Sequence, residues 1–230
     1  MITAHHLVFG RKAIVKNEGL ILDLPFQNSF VDATGKNTII AGGTSNLPTF
    51  TLEGGEYATT FNGSQSIKTN ANFNLNSDKV SISFWIKTSQ TVGAIIVELS
   101  TNAPSGNNAF GVYINDLLAN RIEIADNQSG LNIGNSATNI NNNAWIHIVL
   151  TIDRTLVGNQ QNKIYVDGVL SYVQSTTYQK DLNGNWGLFP LFIGQRAGST
   201  TGFNGQMKFL KIFNYPLSTT EITNLFNKTI

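Results

Sequence analysis

Short runs of alternating apolar and polar residues dominate this sequence and limit the folds open to it. A period of two is the signature of a β-strand, because successive side chains point to opposite faces. Residues 144–153 alternate, but Trp145, His147 and Val149 make their second face apolar as well. This pattern predicts a central strand with both faces covered. Residues 80–87 alternate more cleanly, with an apolar face of Val80, Ile82, Phe84 and Ile86.

A tight hairpin gives the sharpest local signal. Asp167-Gly168 joins the alternating runs 163–166 and 169–173. A two-residue type I′ turn needs the positive φ angles that Asp-Gly adopts readily. The spacers between the other runs are rich in Asn, Gly and Ser, as in β-sandwiches and barrels. Further strands are predicted at residues 19–24, 38–40, 49–52, 58–61, 95–99, 110–114, 121–125, 191–193 and 207–213.

One helix is predicted near the C-terminus. Ser218-Thr-Thr-Glu221 is a capping box, in which each of the two polar side chains accepts from the other residue's backbone amide. Ile222, Leu225 and Phe226 follow at helical spacing, so one side of the helix can pack on the strands. Only 13% of the residues are charged, about half of the roughly 25% usual in soluble domains, which disfavours further exposed helices.

The predicted fold class is therefore all-β: an antiparallel two-sheet sandwich with one short C-terminal helix. A chain of 230 residues fits a single sandwich domain, which we place at residues 19–230. Residues 1–18 precede the first predicted strand. They are either an edge strand of the sandwich or an arm that docks on other protein subunits of an assembly, and the sequence leaves both alternatives open.

Charge and composition exclude several classes of partner. The net charge of +1 gives no long-range field that would attract nucleic acid. Without cysteine, the chain has no disulfide, thiolate metal site or cysteine nucleophile. No apolar run approaches the ~18 residues of a membrane span, so membrane insertion is not expected. The residues after Met1 lack the charge order of a signal peptide, so export by that route is not expected either.

A series of short motifs occurs in a fixed order along the chain. The segments are residues 20–26, 32–35, 58–63, 81–87, 145–149, 164–168, 192–194, 203–205 and 217–222. In this order they resemble, over residues 19–227, the laminin-G-like (LamGL) domains of the concanavalin A-like lectin/glucanase jelly-roll superfamily, of the kind found in bacterial surface and phage proteins. The resemblance implies a jelly-roll with a surface or adhesion role. Asn62 and Lys208 stand where the family often carries aspartate, which weakens the expectation of calcium.

Catalysis is not expected. Retaining glycosidases hold two carboxylates about 5–5.5 Å apart, which on one strand requires an acidic-x-acidic spacing. Glu123 and Asp126 come nearest, but their spacing of three puts them on opposite faces. His147 is predicted to be a hydrogen-bonded core histidine. The sequence contains neither a nucleophile elbow nor a phosphate-binding loop.

Calcium is a candidate cofactor, with Asp32 and Asp126 as the candidate ligands. Both stand at predicted loop positions among oxygen-bearing neighbours, and calcium prefers such oxygen ligands. The alternative is that these aspartates are ordinary turn formers.

A glycan site is suggested around Trp186. Sugar sites combine an exposed aromatic ring with amide and guanidinium hydrogen-bonders, and Asn183, Asn185 and Trp186, with Tyr178 and Arg196, have that composition. The alternative is that Trp186 folds inward and plugs the end of the sandwich. Tyr113 and Asn115 form a second, weaker cluster.

Two functional hypotheses follow. The first is a phage virion-associated structural protein, such as a decoration, fibre or tail component, with glycan or host-surface binding. It rests on the Met1 start without an export signal and on the arm at residues 1–18. The second is a stand-alone carbohydrate-binding module of a bacterial surface protein. Both place the protein on a virion or an extracellular surface, and both are preferred to a glycoside hydrolase.

Overall fold

Two β-sheets and one helix make up the part of the chain that the computed structural model describes. That part comprises residues 18–43, 46–75, 77–100, 110–116, 118–126, 131–156, 160–174, 186, 189–196 and 201–228. The elements in chain order are β1 (Leu20–Leu24), β2 (Ile39–Ala41), β3 (Thr49–Glu53), β4 (Glu56–Asn62), β5 (Ile67–Thr69), β6 (Lys79–Lys87), β7 (Ala94–Leu99), β8 (Phe110–Ile114), β9 (Ile122–Asp126), β10 (Leu131–Asn135), β11 (Ile146–Asp153), β12 (Asn162–Val166), β13 (Val169–Val173), β14 (Leu191–Ile193), β15 (Asn204–Phe213) and α1 (Thr219–Phe226).

The two sheets pack face to face as a jelly-roll sandwich. Sheet A has the order β13-β12-β11-β6-β15-β4-β3, with β1 also paired to β15. Sheet B has the order β10-β9-β8-β7-β14-β5-β2. The strand pairs are antiparallel, and many neighbours are distant in sequence. The predicted fold class, an all-β antiparallel sandwich with one C-terminal helix, is confirmed.

The main core lies between the sheets and is made by one face of each alternating run. The inward residues of β6 and β11 come from sheet A, and those of β8 and β9 come from sheet B. Alternation then sends the intervening residues to the outer faces. The buried inward residues of these four strands are Val80, Ile82, Phe84, Ile86, Phe110, Val112, Ile114, Ile122, Ile124, Ile146, Ile148, Leu150 and Ile152.

A second apolar cluster lies on the outer face of sheet A, beneath α1. Val149 of β11 belongs to this cluster, which explains why the second face of that strand is apolar. The capping box forms as predicted: Glu221 N donates to Ser218 Oγ at 3.3 Å, and Ser218 N donates to Glu221 Oε2 at 2.8 Å. The cluster consists of Leu20, Val149, Tyr165, Phe213, Leu217, Ile222 and Leu225.

The hairpin is confirmed, because Asp167 and Gly168 have φ angles of 50° and 78°. Two short strands, β5 and β10, were not predicted from the sequence. β5 contains a single apolar residue, Ile67, so it shows no alternation, and β10 contains turn-forming Asn and Gly. Gly134 of β10 is needed for packing, since an added Cβ would lie 2.1 Å from the Tyr172 ring.

Residues 1–17 of the N-terminal arm lie outside the described residues, so the choice between edge strand and docking arm stays open. Within the described part of the chain, no helix is long and apolar enough to cross a membrane.

Candidate functional site

Trp186 does not present a ring to solvent. Its side chain is 1% exposed, and Nε1 donates to the Ser77 carbonyl at 2.5 Å. The indole packs edge-to-face on Phe110 at 5.5 Å, and the Arg154 guanidinium lies 3.4 Å above it. The interpretation as an exposed sugar platform is therefore corrected. Contacts from three distant segments hold Trp186 inside, as in the alternative where it plugs the sandwich.

The other residues proposed around Trp186 fare differently. Tyr178, Asn183 and Asn185 lie outside the described residues, and their role stays a prediction. Arg196 is described, and it pairs with Glu98 on the outer face of sheet B.

Asp32 stabilises the turn after β1 through its hydrogen bonds. The residue is 4% exposed, and its carboxylate accepts from the backbone amides of Asp23, Thr34 and Asn37 and from the side chains of Thr34 and Asn37. Burial by itself would raise the pKa of Asp32, but these donors hold it below its ordinary value. A carboxylate that already accepts from so many donors fits the alternative of a turn former.

Asp126, the other proposed calcium ligand, is the last residue of β9 and pairs with Phe110 in sheet B. The structure therefore places the two candidates on different elements, with Asp32 in the turn after β1. Across the described ranges, no three acidic or histidine side chains are grouped so that they could hold a metal ion. Calcium at Asp126 stays a prediction.

A polar cluster lies on the outer face of sheet B, centred on a buried carboxylate. Glu98 of β7 is 0% exposed. Tyr113 Oη donates to Glu98 Oε1 at 2.6 Å, Ser100 Oγ donates to Oε2 at 2.8 Å, and Arg196 Nε lies 3.3 Å from Oε2. We call Glu98, Ser100, Tyr113 and Arg196 the Glu98 cluster. It joins residues from two separate predicted sites, Arg196 from the first and Tyr113 from the second.

Local sequence explains this arrangement. Leu99 faces the core in β7, so alternation turns Glu98 outward, and the same rule turns Tyr113 outward in β8. Gly111 leaves room for the phenol, because an added Cβ would lie 2.3 Å from the Tyr113 ring. Arg196 follows the end of β14, which pairs with β7. Its side chain is 17% exposed and marks the border between the cluster and solvent.

Glu98 holds the hydroxyl of Tyr113 and the guanidinium of Arg196 in fixed positions. Burial raises the pKa of the Tyr113 phenol far above its ordinary value, and the charge of Glu98 raises it further. Tyr113 is therefore a neutral donor at every physiological pH. Arg196 carries five N–H bonds, and the geometry places Nε beside Glu98.

Glu98 was missed by sequence reasoning, although a signal existed. It is a lone charged residue within the apolar run 94–99, and charges in such a position are rarely buried unless they are paired. Glu98 and Glu123 share the outer face of sheet B on strands β7 and β9, a proximity that spacing along a single strand cannot show. Glu123 accepts from the backbone amide of Leu118 at 2.8 Å.

His147 is a buried hydrogen-bonded histidine, as predicted. It is 1% exposed, and Nε2 lies 3.0 Å from Ser83 Oγ. Burial lowers the pKa of His147 to about 4. The ring is therefore neutral near pH 7 and is a weak base.

A second polar surface lies near Asp32. A cleft of about 390 Å³ is lined by amides and hydroxyls of residues 36–38 and 69–74. The aromatic residue in its lining, Phe73, is itself buried in the core. This cleft therefore offers no ring for stacking, and we prefer the Glu98 cluster as the candidate functional site.

Several solved structures share this fold. Domain 4 of AbnA, an extracellular arabinanase from Geobacillus stearothermophilus solved with arabinotriose, has a TM-score of 0.69 and 18% identity, covering 90% of this chain and 98% of that one. A structure of botulinum neurotoxin type C, described as depending on two ganglioside molecules for cell entry, has a TM-score of 0.63 and 22% identity, covering 92% of this chain and 51% of that one.

The binding domain of botulinum neurotoxin DC, solved in complex with rat synaptotagmin II, has a TM-score of 0.64 and 20% identity, covering 92% of this chain and 52% of that one. This chain thus spans about half the length of the two neurotoxin chains. At such identities the likenesses show the fold alone. No curated protein sequence is similar enough to this chain to be matched.

The family itself is shown by sequence. A laminin G model described as concanavalin A-like lectin/glucanases superfamily matches residues 61–223. This match covers strands of both sheets, the Glu98 cluster and most of α1. With its two-sheet jelly-roll, the chain belongs to the concanavalin A-like lectin/glucanases superfamily.

Proposed function

We propose that this chain is a non-catalytic glycan-binding module that uses the Glu98 cluster on the outer face of sheet B. The observation that carries the proposal is the pairing of Arg196 and Tyr113 through one buried carboxylate. This pairing holds a guanidinium and a phenol ring in fixed positions at the edge of the solvent-exposed surface.

The chemistry of the cluster suits a sugar. A guanidinium donates in a rigid fork to pairs of oxygen atoms, and an aromatic ring packs on the apolar face of a sugar ring. Because Glu98 already orients both groups, little side-chain entropy is lost when a ligand binds.

The comparisons support the same class of ligand. The arabinanase domain was solved with arabinotriose, and the type C neurotoxin structure is described in terms of gangliosides. The family description includes lectins. For this chain, a glycan is therefore the first ligand class to test.

The partners of Glu98 support a non-catalytic role. Its oxygens are occupied by a cation and two hydroxyl donors. A nucleophile or general acid must instead reach the scissile bond. His147 cannot replace it, since a base with a pKa of about 4 is poorly matched to neutral pH.

The experiment is binding of the purified chain to an array of neutral and acidic glycans, with arabinotriose included. Retention on at least one glycan, without release of new reducing ends from that glycan in solution, is the expected result. Absence of retention across the array, or steady release of reducing ends, would contradict the proposal.

We also propose that the module acts on a virion or another extracellular surface, joined to its assembly by residues 1–18. The proposal rests on the position of this segment ahead of β1, the first described strand of the sandwich.

A further inference from the structure

A cleft opens between α1 and the outer face of sheet A, on the opposite side of the sandwich from the Glu98 cluster. Its volume is about 360 Å³, within the roughly 300–1,000 Å³ of small-molecule sites. The C-terminal end of α1 forms one wall, and residues of β1, β4, β6, β11 and β15 contribute to the others. The lining includes Asp23, Ser83, Trp85, His147, Phe209 and Leu225.

Aromatic rings form one side of the cleft. Trp85 and His147 are opposite each other on β6 and β11, with ring centres 5.1 Å apart. Phe226 of α1 stacks near both, at 5.8 Å and 6.0 Å. Phe209 lies at the bulge of β15 with a φ of 54°. A non-glycine residue with this φ is uncommon.

Two buried polar atoms in the cleft lining have no hydrogen-bond partner among the described residues. They are Nδ1 of His147 and Oδ1 of Asp23. An unsatisfied buried donor or acceptor destabilises the folded protein, so each such atom calls for an explanation. Separate ligand hydroxyls explain the two atoms, because one donates to the carboxylate oxygen and another pairs with His147 Nδ1 in either tautomer.

The charges around the cleft are already paired within the protein. Lys211 Nζ lies 2.7 Å from Asp23 Oδ2, and Lys208 and Lys228 each lie 2.8 Å from Glu56 Oε2. Lys228 Nζ also lies 5.6 Å from the Trp85 ring centre. Within the cleft lining, the two lysines, Lys211 and Lys228, balance the two carboxylates, Asp23 and Glu56, so a neutral ligand fits better than a charged one.

We propose that this cleft is a second binding site, for a neutral ring that carries hydroxyl groups, such as a single sugar residue or a cyclic polyol. The apolar face of the ring packs on Trp85 and Phe209, and its hydroxyls satisfy Asp23 Oδ1 and His147 Nδ1. The inference goes beyond the proposed function, because the two sites lie on opposite faces and share no residue. If both bind glycan, one module can bridge two chains of a polymer and gain avidity.

The test variant replaces both Ser83 and His147, so that neither side chain is left buried without its hydrogen-bond partner. Ser83→Ala with His147→Phe replaces both partners of one hydrogen bond by apolar groups, which is often nearly neutral for stability. Its melting temperature is compared with that of the wild type to show that it folds. Arg196→Lys is the matched control, since it alters the Glu98 cluster and leaves the cleft unchanged.

The readout is the indole N–H signal of Trp85 in ¹H–¹⁵N spectra. The chain has three tryptophans, and Trp85→Phe assigns the signal. The probes are arabinotriose, methyl α-glucoside, methyl α-galactoside and myo-inositol. We expect at least one probe to shift the Trp85 signal saturably in the wild type and in Arg196→Lys. In the double variant, the affinity measured from this shift should fall at least tenfold.

The outcomes separate the two sites. The second site is overturned if no probe shifts the Trp85 signal, or if the shift is unchanged in the double variant. If glycans bind on the array while the Trp85 signal stays fixed, the proposed function holds and the second site fails. If the Trp85 signal shifts but Arg196→Lys loses no glycan affinity, the cleft stands and the Glu98 site fails.

Discussion

At the scale of single residues, the sequence was least informative where distant contacts decide the environment. Trp186 stands between Asn185 and Gly187, a context typical of an exposed loop. Its burial depends on Phe110, Arg154 and Ser77, which lie far away along the chain. Local pattern cannot reveal such contacts, and the same holds for the pairing of Glu98 with Arg196. His147, by contrast, could be predicted, because its own strand is apolar on both faces.

Trp186→Ala should strongly destabilise the fold. Truncating a buried tryptophan leaves a cavity and typically costs about 3–5 kcal/mol, and here it also removes the ring beneath the Arg154 guanidinium. Trp186→Phe, which keeps a ring but loses the bond to Ser77 O, should cost less. Urea denaturation of the three proteins measures both effects. An unchanged midpoint for Trp186→Ala would show that the indole is not part of the core.

His147 should make stability depend on pH. Its pKa falls from an ordinary value of 6.5 to about 4 in the folded state, so the unfolded chain takes up the proton first. Stability is therefore complete above about pH 6.5 and declines as the pH falls towards 4, by about 3 kcal/mol at about 1.4 kcal/mol per pKa unit.

Denaturation of the wild type and of Ser83→Ala/His147→Phe across this pH range isolates the effect, because the carboxylates are common to both. The difference in unfolding free energy between them should change in favour of the variant as the pH falls. Parallel pH curves for the two proteins would contradict a buried neutral histidine.

At the scale of elements, prediction succeeded where the signal is local. The Asp167-Gly168 hairpin, the Ser218 cap and the long alternating strands depend on neighbouring residues, and all of them form. β5 and β10 were missed because a short strand acquires its structure from its partners. The helix packs on sheet A through Ile222. Leu225, in its last turn, and Lys228, just after its end, line the cleft.

Ser218→Ala should destabilise α1. Loss of the cap costs about 1 kcal/mol and leaves the first turn of the helix without its acceptor. Thr223→Ala, within the same helix but outside the cap, is the matched control. Thermal unfolding followed by circular dichroism should show a lower midpoint for Ser218→Ala than for the control. Equal midpoints would mean that the cap does not hold the helix on the sheet.

At the scale of the whole molecule, the described strands close a jelly-roll that begins at Leu20. Deleting residues 1–17 should therefore leave a folded, soluble domain that keeps the melting temperature of the full chain within a few degrees. If those residues dock on other subunits, the deletion should also abolish entry into the native assembly, measured by co-sedimentation with it. An unfolded truncated chain would instead identify the segment as a strand of the sandwich.

The central prediction is that glycan binds at the Glu98 cluster. Titration calorimetry with the glycan best retained on the array compares the wild type with Arg196→Lys, and Arg121→Lys, at the residue just before β9, is the matched control. Lysine keeps a positive charge beside Glu98 but lacks the guanidinium fork. A hydrogen bond to a charged group contributes about 1.5–3 kcal/mol, so Arg196→Lys should weaken binding at least tenfold while Arg121→Lys binds as the wild type does. Equal affinity in all three proteins would contradict the assignment of the Glu98 cluster as the glycan site.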